Sequence, residues 1–221
     1  MPRQLSFDLP VREALGREDF FVSPANATAV ALIESWPDWP SHKLLLTGPE
    51  GAGKTHLSQV WASLSGARVI SATTLTDSDI PALARGPVAV EDADRIAGCA
   101  PAEEALFHLH NLTLAEGGSL LITSRTPPAR WGLGLPDLAS RMQGTTQADL
   151  QPPDDALLGA VLMKLMADRQ LRPEPRLIPY LVPRIDRSFQ AAREIVERLD
   201  KAALEQGAPI TTRFAAKLLE G

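Results

Sequence analysis

A chain of 221 residues has room for one good core, or for a larger domain with a small one attached. Its hydrophobic fraction of 44% and charged fraction of 22% are those of an ordinary globular protein, and its net charge of -5 gives no bulk signal of direct nucleic-acid binding. An aromatic content of 5% argues against a row of base-stacking platforms, and a single cysteine, Cys99, excludes an internal disulfide and a cysteine-based metal cluster. The N-terminal stretch lacks the apolar centre of a signal peptide, and no apolar run approaches the roughly 20 residues that span a bilayer. A soluble cytoplasmic protein with no membrane contact is expected.

Residues 1–18 are polar, are broken by Pro2 and Pro10, and are expected to form an extended tail. A turn at Pro24 leads into a short helix, and two prolines make residues 36–40 a loop. An alternation then begins. Residues 42–47 read as a strand, 48–53 as a glycine-rich loop and 54–64 as a helix. Residues 67–72 are a second strand, and 87–90 a third that runs into Glu91 and Asp92. Residues 102–115 are a helix carrying Leu106, Leu109 and Leu112. Residues 119–123 and 145–150 complete five strands. Strands alternating with helices predict a parallel sheet covered on both faces, and continuous apolar strands agree with it.

After Pro152 and Pro153 the pattern is helical only. Residues 154–170 carry Leu157, Leu158, Val161, Leu162, Leu165 and Met166 on one face. Residues 177–185 form a shorter helix interrupted by Pro183. Residues 188–206 form a long one with Phe189, Ala192, Val196, Leu199 and Ala203 on a stripe, and 211–219 form the last. The expected organisation is a tail over 1–18, an α/β domain over 19–152 and a small all-helical domain over 153–221.

Gly48-Pro49-Glu50-Gly51-Ala52-Gly53-Lys54-Thr55 matches the phosphate-binding pattern G-x-x-x-x-G-K-[ST], after a strand and before a helix as that motif requires. Its glycines let backbone N–H groups wrap a phosphate, and the following helix adds its positive end. Lys54 is then expected to reach the β and γ phosphates of ATP or ADP, and the Thr55 hydroxyl to ligate Mg²⁺. Such sites take a second carboxylate from the end of another strand. Residues 88–92, Val-Ala-Val-Glu-Asp, are the candidate. Adjacent strand residues face opposite ways, so Glu91 and Asp92 share a side only if the strand has ended between them. Glu91 is the candidate metal ligand, and Asp92 the candidate to orient an attacking water.

The order of P-loop, acidic strand, Ser124-bearing strand and small helical lid resembles the AAA+ ATPases, and within them the DnaA/Hda family of replication-initiation proteins. The run from Gly48 through His56 and Leu57 resembles the DnaA form of the loop. Residues 21–26 resemble the segment that lines the adenine pocket, which nominates Phe21, Val22 and Asn26. Residues 133–141 resemble the Hda branch. The likeness covers nearly the whole chain from about Gln4, and the chain stops where the lid stops.

The resemblance implies an AAA+ P-loop domain with a five-stranded parallel sheet, followed by a small helical lid. It implies cofactor contacts from Gly48 to His56. Ser124, with Thr123 as the alternative, would sense the γ-phosphate, Arg187 would be the lid arginine on the nucleotide, and Arg141 would be an arginine finger acting in trans. Gln4, Leu5, Phe7 and Leu9 are similar to the motif that docks on the sliding clamp, the β subunit of DNA polymerase III, and an extended peptide would present its three apolar residues on one side. The implied function is negative regulation of replication initiation: docked on the DNA-loaded clamp, the protein would stimulate hydrolysis of ATP bound to DnaA, meeting DNA only through the clamp. Its own ATP turnover would be weak or absent, since Glu91 stands where the family has aspartate. Two alternatives stay open. One is an autonomous AAA+ ATPase working as a helicase or clamp loader, and the other an adaptor with nucleotide as a structural ligand. A homo-oligomer is also left open.

Three other features read as bland. His108 and His110 are two apart on a helix and do not form a metal pair. Trp36, Trp39, Trp61 and Trp131 are expected to pack. Arg169, Arg172, Arg176 and Arg184 are expected at the surface of the lid.

Overall fold

A computed structural model describes residues 21–220 of the chain. The expected tail over residues 1–18, with its docking motif at Gln4, Leu5, Phe7 and Leu9, lies outside the described residues.

Five parallel strands make one sheet: β1 Lys43–Thr47, β2 Arg68–Ser71, β3 Val88–Glu91, β4 Leu120–Ser124 and β5 Thr146–Asp149, in the order β2-β3-β4-β1-β5. β1 lies between β4 and β5 and is fully buried, as its apolar sequence requires. The two-residue alternation of a strand divides the side chains between two layers. Leu44, Leu46, Ala89 and Leu121 face one side, where α1 (Ala27–Glu34) and α2 (Lys54–Ser65) cover them with Ile33, Leu57 and Trp61. Leu45, Val88, Val90, Leu120 and Ile122 face the other side, under α4 (Ala100–Ala115) and α5 (Pro136–Gln143). The short helix α3 (Ile80–Leu83) completes that layer. Trp39 stacks on Trp61 with ring centroids 5.0 Å apart, and Trp36 meets Trp61 edge-on at 6.3 Å, so these rings serve packing.

The lid follows: α6 (Asp155–Asp168), α7 (Leu177–Leu181), α8 (Phe189–Gln206) and α9 (Thr212–Glu220). They enclose a third core around Leu158, Leu162, Leu181, Val196 and Leu199. Two caps fix where its helices start. Asp154 accepts from Leu157 N–H at 2.8 Å, and Ser188 accepts from Ala191 N–H at 3.0 Å. Among the described residues, no helix is long and apolar enough to cross a membrane.

Two elements were not visible as such in the sequence. α3 is one turn long, too short to display a period. α5 has only Leu138 and Met142 buried, and this single i,i+4 pair carries too little signal for a helix to be read from it. α5 matters because it carries Arg141.

Candidate functional site

The glycine-rich loop leaves β1 at Thr47 and enters α2 at Lys54. Gly48, Gly51 and Gly53 have φ of 153°, 75° and 98°. The last two sit in the left-handed region that favours glycine. Their missing side chains also make room for the lid. A Cβ on Gly51 would come within 2.4 Å of Ser188 Cβ, and one on Gly53 within 2.6 Å of the Phe189 ring. The Phe189 N–H donates to the Gly51 carbonyl at 3.0 Å. The start of α8 is thus seated directly on the loop.

Between loop, sheet and lid lies a cleft of about 270 Å³ lined by Glu50, Gly51, Gly53, Lys54, Thr55, His56, Asp92, Arg125, Phe189, Gln190 and Arg193. The Lys54 ammonium donates to the Gly48 and Pro49 carbonyls at 2.7 and 2.9 Å. Burial holds its pKa below the usual lysine value, while Asp92 and Asp94 pull the other way. An incoming phosphate therefore meets a lysine already held at the loop by neutral carbonyls. Ala52, within the loop, is buried.

The two acids resolve the question of facing. β3 ends at Glu91, and Asp92 turns into the left-handed conformation at φ 56°. Its N–H donates to Thr123 Oγ1 at 3.1 Å, which fixes that turn. Asp92 lines the cleft, and Glu91 lies beneath it beside Thr55 and Ser58. Burial raises the Glu91 carboxyl above the usual glutamate range, with the Thr55 hydroxyl opposing the rise. Among the described residues, Glu91 Oε1 is buried with no hydrogen-bond partner, and Ser58 Oγ is another such atom. A buried, unsatisfied carboxylate oxygen next to the loop threonine is the donor set that a hard divalent cation takes. No group of three or more acid, histidine or cysteine side chains could hold a metal among the described residues, so any cation there would draw its other ligands from phosphate and water.

Ser124 is buried at the end of β4 and donates its hydroxyl to the Thr126 carbonyl at 2.8 Å. Its own carbonyl accepts from Gly48 N–H, which ties β4 to the loop. Arg125, the next residue, reaches the cleft and pairs with Glu50 at 3.1 Å. The sequence reading overlooked Arg125; its position directly after the Ser124 strand was the available signal.

Three expected residues lie elsewhere. Arg187 pairs with Asp155 at 2.7 Å and is not among the residues lining the cleft. It precedes the Ser188 cap, whereas Gln190 and Arg193, in the first two turns of α8, point at the loop. Phe21 and Val22 are exposed and also stand outside that lining; Val22 instead borders an apolar groove between α1 and α2. Asn26 is buried and folds this segment by accepting from Ser23 N–H and donating to the Phe21 carbonyl.

Arg141 stands apart from the cleft. Its carbonyl accepts from Lys43 Nζ at 3.1 Å, and Lys43 opens β1, at the opposite end of the strand from the P-loop. The separation along β1 is about 13 Å at the usual strand rise. The Arg141 guanidinium is exposed and sits 5.1 Å from the centre of the Phe107 ring on α4. α5 is gripped at both ends. Lys43 holds its last turn. At its entry, the buried Glu103 carboxylate accepts from the N–H groups of Gly134 and Leu135, and also of Gly98. Burial would raise the Glu103 pKa, and those backbone donors outweigh it, leaving the group below its usual range.

No protein-family profile matches the chain. Solved structures do. Domain III of the replication initiation protein DnaA from Thermotoga maritima superposes with a TM-score of 0.81 at 18% identity, covering 96% of this chain and 98% of that one. AMPPCP-bound DnaA from Aquifex aeolicus gives 0.69 at 16% identity, covering 86% of this chain and 65% of that one. The RuvB Holliday junction branch migration motor of Thermotoga maritima gives 0.65 at 20% identity, covering 81% of this chain and 61% of that one. The chain has the α/β fold of the AAA+ domains of DnaA and RuvB, a five-stranded parallel sheet with flanking helices.

Proposed function

We propose that this chain binds an adenine nucleotide in the cleft beneath α8, and that it acts as an Hda-type regulator which presents Arg141 to the nucleotide of a DnaA molecule. The observation that carries the second half is the separation of Arg141 from its own cleft by the length of β1. An exposed guanidinium, carried on a helix that is gripped at both ends and whose last turn is anchored at the far end of β1, is suited to a neighbouring subunit's phosphates.

For the nucleotide itself, the loop N–H groups and Lys54 would bind the phosphates, and Phe189 with Gln190 and Arg193 would close over them from the lid. Thr55 and Glu91 would hold Mg²⁺, which supplies charge neutralisation to the phosphates when bound. The AMPPCP-bound DnaA structure on the same fold supports this half of the reading. For the partner's reaction, the Arg141 side chain would spread positive charge over the phosphoryl group in flight, a role worth about 10³–10⁵ in rate for such fingers. Gln4, Leu5, Phe7 and Leu9 would bring the protein to the DNA-loaded clamp, a proposal that rests on sequence. The consequence would be conversion of the initiator to its ADP form and restraint of further initiation.

A second reading, an autonomous ATPase, is favoured by one observation: Glu91 and Asp92 both come to the P-loop side. The test separates the two. ATP hydrolysis is measured with ATP-bound DnaA and DNA-loaded clamp, adding the intact protein or a variant with Leu5→Ala and Phe7→Ala. Acceleration that requires both the clamp and the motif supports the regulator. Hydrolysis by this chain alone, unaffected by DnaA, supports the autonomous ATPase and overturns the regulator.

A further inference from the structure

Glu50 and Arg125 both line the cleft and form an ion pair there, Arg125 Nη2 standing 3.1 Å from Glu50 Oε2. Arg125 follows the last residue of β4, and its N–H donates to Asp94 Oδ1 at 3.2 Å, so its backbone is tied to the acidic turn after β3. Arg125 lines the same cleft as Lys54 and Asp92. A carboxylate and a phosphate oxygen are alternative partners for a guanidinium, since both accept its paired donors. Glu50 therefore occupies the arginine that a terminal phosphate would seek.

Resting on the nucleotide-binding reading, we infer that Arg125 is a further phosphate-binding residue and Glu50 its internal competitor, so that the pair sets the preference between nucleoside triphosphate and diphosphate. A triphosphate with its extra charge displaces the Glu50 carboxylate from Arg125 and gains a charge-assisted contact. A diphosphate leaves the ion pair closed. The exchange is easy because the pair is half exposed, with side chains 45% and 66% accessible, and exposed pairs of this kind are weak. The chain thus carries a carboxylate that mimics the terminal phosphate, which biases it toward the diphosphate by the strength of one surface ion pair.

The test is equilibrium titration of the full chain with fluorescently labelled ATP and ADP in the presence of Mg²⁺. The readout is the ratio of the two affinities. Glu50→Gln is expected to raise the ATP/ADP ratio about 2–5-fold, the worth of an exposed pair. Arg125→Ala is expected to lower it about tenfold, the loss of one charge-assisted bond. In the double variant the Glu50 substitution should no longer change the ratio, because its effect runs through Arg125. If Glu50→Gln raises the ratio equally with and without Arg125, Glu50 acts only as general negative charge and the inference fails, while nucleotide binding stands. If the intact chain binds neither nucleotide, both fail.

Discussion

The Lys43 ammonium, at the first residue of β1, donates to the main-chain carbonyl of Arg141 in the last turn of α5, at 3.1 Å. Together with the Thr145 hydroxyl, which donates to the same oxygen at 2.8 Å, it satisfies one of the carbonyls that a helix leaves unpaired at its C-terminus. Lys43 lies only 3.4 Å from His110 Nε2, and burial followed by the charge of Arg141 holds its pKa below the usual lysine value. A buried lysine is thus spent on holding the helix that bears Arg141. Lys43→Met is expected to cost about 1–2 kcal/mol of stability. It should leave affinity for nucleotide unaltered and reduce stimulation of DnaA by about tenfold, since misplacement of a catalytic group is that costly. Denaturant melts and paired stimulation assays check both halves.

Glu103 does the same work at the other end of α5. Its carboxylate takes three backbone N–H groups, including that of Leu135, the residue that opens α5. Glu103→Gln keeps the size and removes the charge, and its amide would turn donors toward donors. A loss of about 2 kcal/mol is expected. Because the folded pKa is depressed, the stabilisation is present above the usual glutamate range and is lost as pH falls below about 4.5. Melting curves of the two proteins should differ at neutral pH and converge in acid.

His110 gives a second acid-sensitive element, with a different window. It is buried, and burial first, then Lys43 and Arg141, lower its pKa from 6.5 to about 4, against the raising effect of the hydrogen bond that its Nδ1 donates to Asn111 Oδ1. The unfolded chain therefore binds a proton that the folded chain refuses between pH 6.5 and 4. Stability should fall through that interval by on the order of 1–2 kcal/mol, allowing for screening. His110→Gln should flatten the slope of melting temperature against pH there, and an unchanged slope would disprove the assignment.

The seat of the lid on the loop predicts an uncoupling of stability from binding. Gly53→Ala puts a methyl group into the Phe189 ring and onto a residue at φ 98°. The rest of α8 packs on the lid core through Ala192, Val196 and Leu199, which the substitution does not touch. The strain should cost about 1–2 kcal/mol. The lid should be pushed from the loop, with nucleotide affinity falling at least tenfold, measurable by titration beside a melt. Retained affinity would mean that the lid contact is incidental to binding.

The core of the sheet was legible in the sequence because β1, β3 and β4 are short and apolar and because α2 and α4 have a clear period. Lys43–Thr47 and Leu120–Ser124 could hardly be read otherwise. The lid helices were legible for the same reason, as Leu158, Leu162 and Met166 recur at helical spacing. The P-loop was legible because Gly51, Gly53 and Lys54 satisfy a spacing that only backbone wrapping explains. What escaped depends on contacts distant in sequence. Besides its short apolar face of Leu138 and Met142, α5 is held by Lys43 and Glu103, 98 residues and about 30 residues away. Which of Arg187 and Arg193 lines the cleft cannot be chosen from sequence spacing when they stand six residues apart. Only the Ser188 cap, which sets the phase of α8, turns Arg193 toward the cleft and leaves Arg187 with Asp155. Arg125 was passed over because its role arises from Glu50, 75 positions earlier.

The central claim concerns whose nucleotide Arg141 serves. The direct measurement is single-turnover hydrolysis of labelled ATP already bound to DnaA, with DNA-loaded clamp present, as this protein is added intact, as Arg141→Ala or as Arg141→Lys. The account predicts acceleration by the intact protein and loss of about 10³-fold or more of any finger-dependent gain in Arg141→Ala. It also predicts little rescue by lysine, which lacks the planar fork. Both variants should still bind nucleotide in their own cleft. Full acceleration by Arg141→Ala would contradict the account.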